Sequence, residues 1–284
     1  MLDVKKKNVF GILYNALYLQ NKDEVEIDLD ALMLVAIEQD DYSFDCGLLG
    51  LGWLITFLVQ LEYFELDVEE VLYDFDDNMY KLAMKAIADC ESQIDHLFEL
   101  IVYFQQRLQS KINYNNFYRR FSLYECLRLL IEKLTKTISE DQISIFQLSK
   151  VSCKMSYLIK TCLNEREIEV IYYDQMEFLI SCFEKKSHLT ELETQALCYT
   201  LLSANQYKNP FWEMRLEHVL HSKGALSEEV RFLIGLNDIG FNEKIDISTL
   251  DFTGIIEKDQ LLFFVATNVA KIHAESILNS PIQA

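Results

Sequence analysis

Residues 48–61, LLGLGWLITFLVQL, are apolar at almost every position, whereas DVEEVLYDFDDNMYKLAMKAIAD (67–89) is apolar only at every third or fourth. The first pattern predicts a helix buried on all sides, the second a one-sided amphipathic helix. In the second, Val68, Leu72, Phe75, Met79, Leu82 and Ala86 form the apolar stripe, and Glu69, Glu70, Asp76 and Asp77 are expected largely off it. Asp67 is a suitable N-cap, with Glu70 at the reciprocal capping-box position. A buried helix followed by an amphipathic one suggests an inner layer wrapped by an outer layer. The pair 94–108 and 115–134 repeats the contrast more weakly. It reads equally as a degenerate second helix pair or as two ordinary hairpins, because no strict period survives.

The same patterning predicts helices over 5–20, 29–38, 48–64, 67–89, 92–109, 115–138, 143–162, 166–186, 190–205, 211–222, 226–236 and 257–279, with a loop or short hairpin at 240–256. Eight glycines and two prolines in 284 residues leave little turn chemistry for strands. The expected fold class is therefore all-α, built from paired helical hairpins whose short connections make sequence neighbours pack antiparallel. No Pro-, Gly- or Ser-rich linker interrupts the chain, so residues 1–284 are expected to form a single all-helical domain.

Charge narrows the partners. A formal net charge of −19 argues against nucleic acid, whose binding rests on clustered Lys and Arg, and permits a basic or amphipathic peptide or protein partner. The seven cysteines, at 46, 90, 126, 153, 162, 182 and 198, form no CxxC pair and lie mostly in apolar helical surroundings. They read as reduced thiols in a cytoplasmic protein. The most lipid-like run, 47–61, is bounded by Asp45 and Glu62. It falls short of the roughly 20 residues a membrane helix needs, so no membrane insertion is expected.

Gly47, Gly50 and Gly52 fall at the entrance of the most apolar helix. Each glycine inside a helix costs about 1 kcal/mol relative to alanine, so the cluster needs a reason. Glycine permits positive φ and close backbone approach, and the expectation is a tight structural turn that lets neighbouring helix ends crowd together. A phosphate cradle does not fit: GLLGLG is not GxGxxG, no strand precedes it and no Lys-Ser/Thr follows. The stretch GLLGLGWLITFLVQLEYFELDVEEVLYDFDDNMY (47–80) resembles the repeat of the lantibiotic cyclase (lanthionine synthetase C-like) family, especially its divergent bacterial members, at Gly47, Leu48, Gly50, Gly52 and Trp53. In 94–134 the corresponding glycines are absent, and Glu99 and Val102 stand roughly where small residues would be expected. The resemblance implies a ring of paired helices, an α/α toroid, shortened or incomplete here, with inner-helix N-termini facing a central cavity.

The family's cyclases hold one zinc through two Cys and one His, in Gly-Trp-Cys-x-Gly and Cys-His-Gly segments. Zinc activates a substrate cysteine thiol. Here the two tryptophans precede Leu54 and Glu213, and no Cys-His dipeptide occurs. No cofactor is therefore expected. Cys182, His188, Cys198, His218 and His221 are the remaining, weak metal candidates; HVLH places His218 and His221 on one helix face but lacks the Glu of HExxH. No Gly-x-Ser-x-Gly elbow occurs, the pairs Asp40–Asp41 and Asp76–Asp77 define no acid and base by spacing alone, and His96, between Asp95 and Glu99, reads as a surface or capping histidine. No catalytic residue is assigned.

Binding is what remains. EQDDYSFDCG (38–47) leads into the glycine turn and, in a ring, would lie at the cavity rim, with Asp40, Asp41 and Asp45 as negative charge and Tyr42 and Trp53 as aromatic surface. NYNNFYRR (113–120) offers aromatics beside Arg119 and Arg120, too few cations for a nucleic-acid patch. The expected function is that of a lanthionine synthetase C-like pseudoenzyme that binds peptide during maturation of a ribosomally made peptide. The alternatives are an enzyme with a zinc- or carboxylate-dependent cavity site and a helical-repeat protein–protein adaptor.

Overall fold

Backbone carbonyls, not a side chain, cap the most apolar helix, and this local fact organises the N-terminal half. The computed structural model describes residues 8–16, 21–90, 93–109, 117–140, 143–161 and 165–223. All regular structure among them is helical: α1 (Val9–Tyr14), α2 (Lys22–Gln39), α3 (Leu48–Gln60), α4 (Val68–Val71), α5 (Tyr73–Ala88), α6 (Ile94–Gln109), α7 (Phe117–Glu140), α8 (Ile145–Thr161), α9 (Glu165–Lys185), α10 (Glu191–Tyr207) and α11 (Pro210–Lys223). The helices expected at 226–236 and 257–279, and the segment 240–256, lie outside the described residues. The chain divides into two compact units, Met1–Ser139 and Glu140–Ala284.

Helix positions follow the hydrophobic pattern closely; besides α3, which ends at Gln60 rather than 64, there are two departures. First, α2 begins at Lys22 rather than near 29, because Asn21 accepts a hydrogen bond from the Glu24 amide and donates one to the Glu24 carboxylate. Asp23 and Glu24 also favour the positive end of the helix dipole. Second, the helix expected over 67–89 breaks at Leu72 into α4 and α5. Asp67 caps α4 as expected, accepting from the amides of Glu69 and Glu70.

Within the first unit, α3 is buried from Leu48 to Leu58 without interruption. Its N-cap, Gly47, is extended and offers no side chain. The loop before it supplies the acceptors: the Leu48 amide donates to the Asp41 carbonyl at 2.8 Å, and the Gly47 and Gly50 amides to the Ser43 carbonyl at 3.1 and 3.5 Å. The loop backbone must lie against the helix end to do this. A Cβ on Gly50 would sit 1.7 Å from the Phe44 carbonyl oxygen, and one on Gly47 would sit 2.6 Å from that of Asp41. Gly52 makes room for α6: its Cβ would meet the Tyr103 ring at 2.6 Å. The glycines thus serve close approach, as expected, and the extended φ of Gly47 shows that positive φ is not the reason there.

The Tyr103 ring seated over Gly52 leads to a buried charge cluster. Its hydroxyl donates to Asp76 Oδ1 at 2.6 Å. Arg107 of α6 grips both oxygens of Asp76, Nε to Oδ1 at 2.9 Å and Nη2 to Oδ2 at 2.7 Å, and reaches Glu69 at 2.9 Å. Arg119 of α7 adds Nη2 to Asp76 Oδ2 at 2.8 Å and donates to the Leu72 and Tyr73 carbonyls at the helix break. The expectation that Asp76 lies off the apolar stripe is corrected: it is 3% exposed, in line with Leu72, Met79 and Ala83. Two carboxylates facing two guanidiniums make that burial tolerable. Desolvation, reinforced by the Asp76 charge, pushes the Tyr103 phenol well above its ordinary pKa, so it remains a donor.

Wholly buried and one-sided helices alternate in both units. In the first, α6 is buried from Leu97 to Leu108 except at Glu99, while α7 buries Leu123, Cys126, Leu127, Leu130, Ile131 and Leu134 on one side. In the second, α8 is buried from Val151 to Ile159 and α10 from Ala196 to Gln206, while α9 and α11 are one-sided. The α8–α10 contact is lined by small residues and closed by neutral polar groups. Ser203 donates to the Ser152 carbonyl at 2.9 Å, Ser156 to Gln206 Oε1 at 2.6 Å, and Tyr172 to the Ser203 carbonyl at 3.0 Å. On the one-sided helices, Trp212 and Arg215 of α11 both donate to Glu177 of α9.

Gly50→Ala should destabilise the protein by about 3 kcal/mol or more, since a carbonyl must move. Gly52→Ala, which meets a side chain, should cost less. Urea midpoints measure both, and a negligible loss at Gly50 would refute the capping argument. Arg107→Met should likewise cost about 3 kcal/mol by leaving buried carboxylates under-compensated, whereas Arg128→Met, removing an exposed pair with Glu125 and Glu132, should leave the midpoint unchanged.

Candidate functional site

The loop that caps α3 also forms one wall of a cleft in the first unit. Asp40 ends α2 in the left-handed region at φ 50°, a conformation Asp tolerates better than most residues. The Asp41 carboxylate accepts from the Ser43 amide at 2.8 Å and closes the turn. The Asp45 carbonyl accepts from the Val9 amide at 2.9 Å, tying α1 to the loop. Tyr42, half-buried, projects into the cleft. A hydrogen bond to the Asp40 carboxylate, together with desolvation, raises its phenol pKa.

The cleft has a volume of about 600 Å³. Opposite Tyr42 and Ser43 stand Lys85 and Asp89 from the end of α5 and Asp95, His96 and Glu99 from the start of α6. Leu82 and Ala86 supply an apolar floor. Three carboxylates against one lysine make the wall acidic. His96 Nδ1 lies 3.7 Å from Glu99 Oε2, longer than a hydrogen bond. The lining combines this negative charge with the Tyr42 ring and a short apolar stretch.

Of the five residues expected to form a peptide-binding rim, the structure brings only Tyr42 to this cleft, with Asp40 behind it. Asp41 and Asp45 hold the loop. Trp53 is corrected from surface to core: it is fully buried, stacked on Phe57 at 5.2 Å and tilted against Phe44 at 5.5 Å. Its place in an uninterrupted apolar run was the signal for burial. Lys85, Asp89, Asp95 and Glu99 were missed as a set. Their i, i+4 spacing was readable along each helix, but the meeting of the two helix ends with the loop was not.

A smaller cleft, of about 350 Å³, lies between α5 and α7, lined by Tyr73, Tyr80, Tyr118, Asp77 and Arg119. Arg119 is committed to Asp76 and to stacking over the Tyr73 ring at 4.3 Å, so it is a structural counter-ion.

The weak metal candidates do not converge. Cys198 is buried, Cys182 half-buried, and His188, His218 and His221 are exposed. No group of three or more His, Cys, Asp or Glu side chains that could hold a metal ion occurs among the described residues. Within the same residues no helix is long and apolar enough to cross a membrane. Compared with protein-family models, curated proteins and solved structures, the chain matches none of them.

The thiols differ sharply. Cys90 is exposed, whereas Cys126, Cys153 and Cys198 are buried, and desolvation pushes the Cys126 thiol up to about 12. An alkylating reagent at pH 8 should modify Cys90 in native protein and reach these three only after unfolding, as read by peptide mass spectrometry. Native labelling of Cys126 at the rate of Cys90 would contradict this burial. Cys162 lies outside the described residues.

Proposed function

We propose that this chain is a non-catalytic peptide-binding protein, a lanthionine synthetase C-like pseudoenzyme that holds a basic peptide segment during maturation of a ribosomally made peptide. The observation that carries the binding role is the acidic cleft beside Tyr42, where Asp89, Asp95 and Glu99 face the loop leading into α3. A lysine or arginine entering there gains carboxylate partners and an aromatic wall.

Two further features support the family reading. Gly47, Gly50 and Gly52 serve backbone and helix approach at the start of a wholly buried helix. The alternation of buried helices (α3, α6, α8, α10) with one-sided ones (α5, α7, α9, α11) is the layering that a ring of helical hairpins requires. In the proposed α/α toroid the buried helices form the inner layer, and the loop at 40–47 lies at the rim.

Fluorescence anisotropy with a short labelled Lys-rich peptide tests the cleft. Binding should weaken about tenfold on Glu99→Lys, several-fold on Tyr42→Ala, and further with added salt. A Glu-rich peptide should not bind. If Glu99→Lys and Asp95→Lys leave the affinity unchanged, the cleft is not the site.

A further inference from the structure

The outward side of α2 is a surface distinct from the cleft. This helix packs on the core through Val25, Leu29, Leu32 and Ala36, spaced at four, three and four residues. The opposite side of a surface helix is ordinarily polar. Here it holds Ile27, Leu34 and Ile37, with exposures of 64, 63 and 56%, while Val35, 45% exposed, lies on the flank beside buried Asp28. Isolated exposed aliphatics are unremarkable, but three within one side of a single helix, Leu34 and Ile37 one turn apart and Ile27 two turns before Leu34, form a stripe. Ile27 and Leu34 are seven residues apart, two helical turns, and mark the centre of the stripe. Asp23, Asp30 and Glu38 fall in the same stripe, between and beyond them. The result is a row in which acids and aliphatics alternate along the helix.

We propose that this face of α2 docks a basic amphipathic helix supplied by another protein. The aliphatic pair at a seven-residue interval matches a helix laid alongside, with apolar side chains meeting at each second turn. The acids between them call for lysine or arginine at the intervening positions of the partner. A second copy of this chain fits poorly. Five exposed acids, Asp23, Glu24, Glu26, Asp30 and Glu38, stand against one Lys22 in α2, so two such helices side by side would set acid against acid. An anionic membrane surface is disfavoured by the same charge. The partner's chemistry follows from α2 alone and does not depend on the cleft or on the family reading.

The test uses the full-length protein carrying Glu99→Lys, so that cleft binding is suppressed, and a labelled helical Lys/Leu peptide with its Glu/Leu counterpart as probes. The Lys/Leu peptide should bind and the Glu/Leu peptide should not. Leu34→Ser or Ile27→Ser leaves the net charge untouched and lies at exposed positions, so folding, checked by circular dichroism, should be intact. Either should weaken binding about tenfold, and Asp30→Lys should weaken it comparably. Affinity that ignores Leu34→Ser would mean unspecific attraction to an acidic protein and would overturn the proposal. So would equal binding of the Glu/Leu peptide, absence of binding, or self-association in sedimentation velocity that Leu34→Ser abolishes. Failure of the cleft experiment alone would leave these outcomes unaffected.

Discussion

Three missing side chains allow the N-terminal unit to close. Helix α3 is too apolar to carry its own polar cap, and its first amides are buried, where an unpaired N–H costs on the order of 1–3 kcal/mol. The carbonyls of Asp41 and Ser43 meet that demand only because the loop backbone can touch the helix at Gly47 and Gly50. One turn further on, Gly52 opens the space in which the Tyr103 ring lies. The ring's position delivers its hydroxyl to Asp76, and Asp76 gathers Arg107 and Arg119. Arg119 in turn binds the carbonyls at Leu72 and Tyr73, where α4 gives way to α5. A backbone requirement at one helix end is thus linked, contact by contact, to the charge cluster that joins α5, α6 and α7.

The two units satisfy buried polar groups differently. The first uses full charges, with Arg107 completely buried. Such clusters contribute little net stability against an apolar alternative but are costly to break, and they fix one arrangement of the helices. The second uses neutral groups between α8 and α10, where Ser203 pairs with the Ser152 carbonyl and Ser156 with Gln206. Serine is small enough to let the helices approach, and its hydroxyl finds a partner in the facing helix. That unit also buries Lys154 of α8, while Arg215 holds Glu184 nearer the surface through two parallel hydrogen bonds.

Acidity connects the fold to its proposed role. A net charge of −19 raises the local concentration of cations over the whole surface and speeds encounter with basic partners. Specificity must then come from places where acids are combined with shape. The cleft combines them with the Tyr42 ring and a short apolar floor, and α2 with a row of aliphatics. As proposed, the cleft takes a peptide segment and α2 a helix, so the two roles would differ in the partner's conformation rather than in its charge.

Helix order and class were legible in the chain because a period of three to four residues records which side of a helix is buried. The N-cap of Asp67 and the all-round burial of α3 were legible for the same local reason. The crowding at Gly47, Gly50 and Gly52 was legible as a need, since glycine in a helix is unfavourable without one. Asp76 was not legible. A carboxylate in an apolar stripe is tolerable only when cations arrive from α6 and α7, and local sequence holds no record of what another helix brings. Trp53 was misplaced because its glycine-rich surroundings suggested a rim, whereas packing against Phe44 and Phe57 decided its burial. The cleft and the exposed side of α2 belong to the same category. Each depends on which helix ends meet and which sides are left uncovered, and those outcomes arise only when the whole chain has packed.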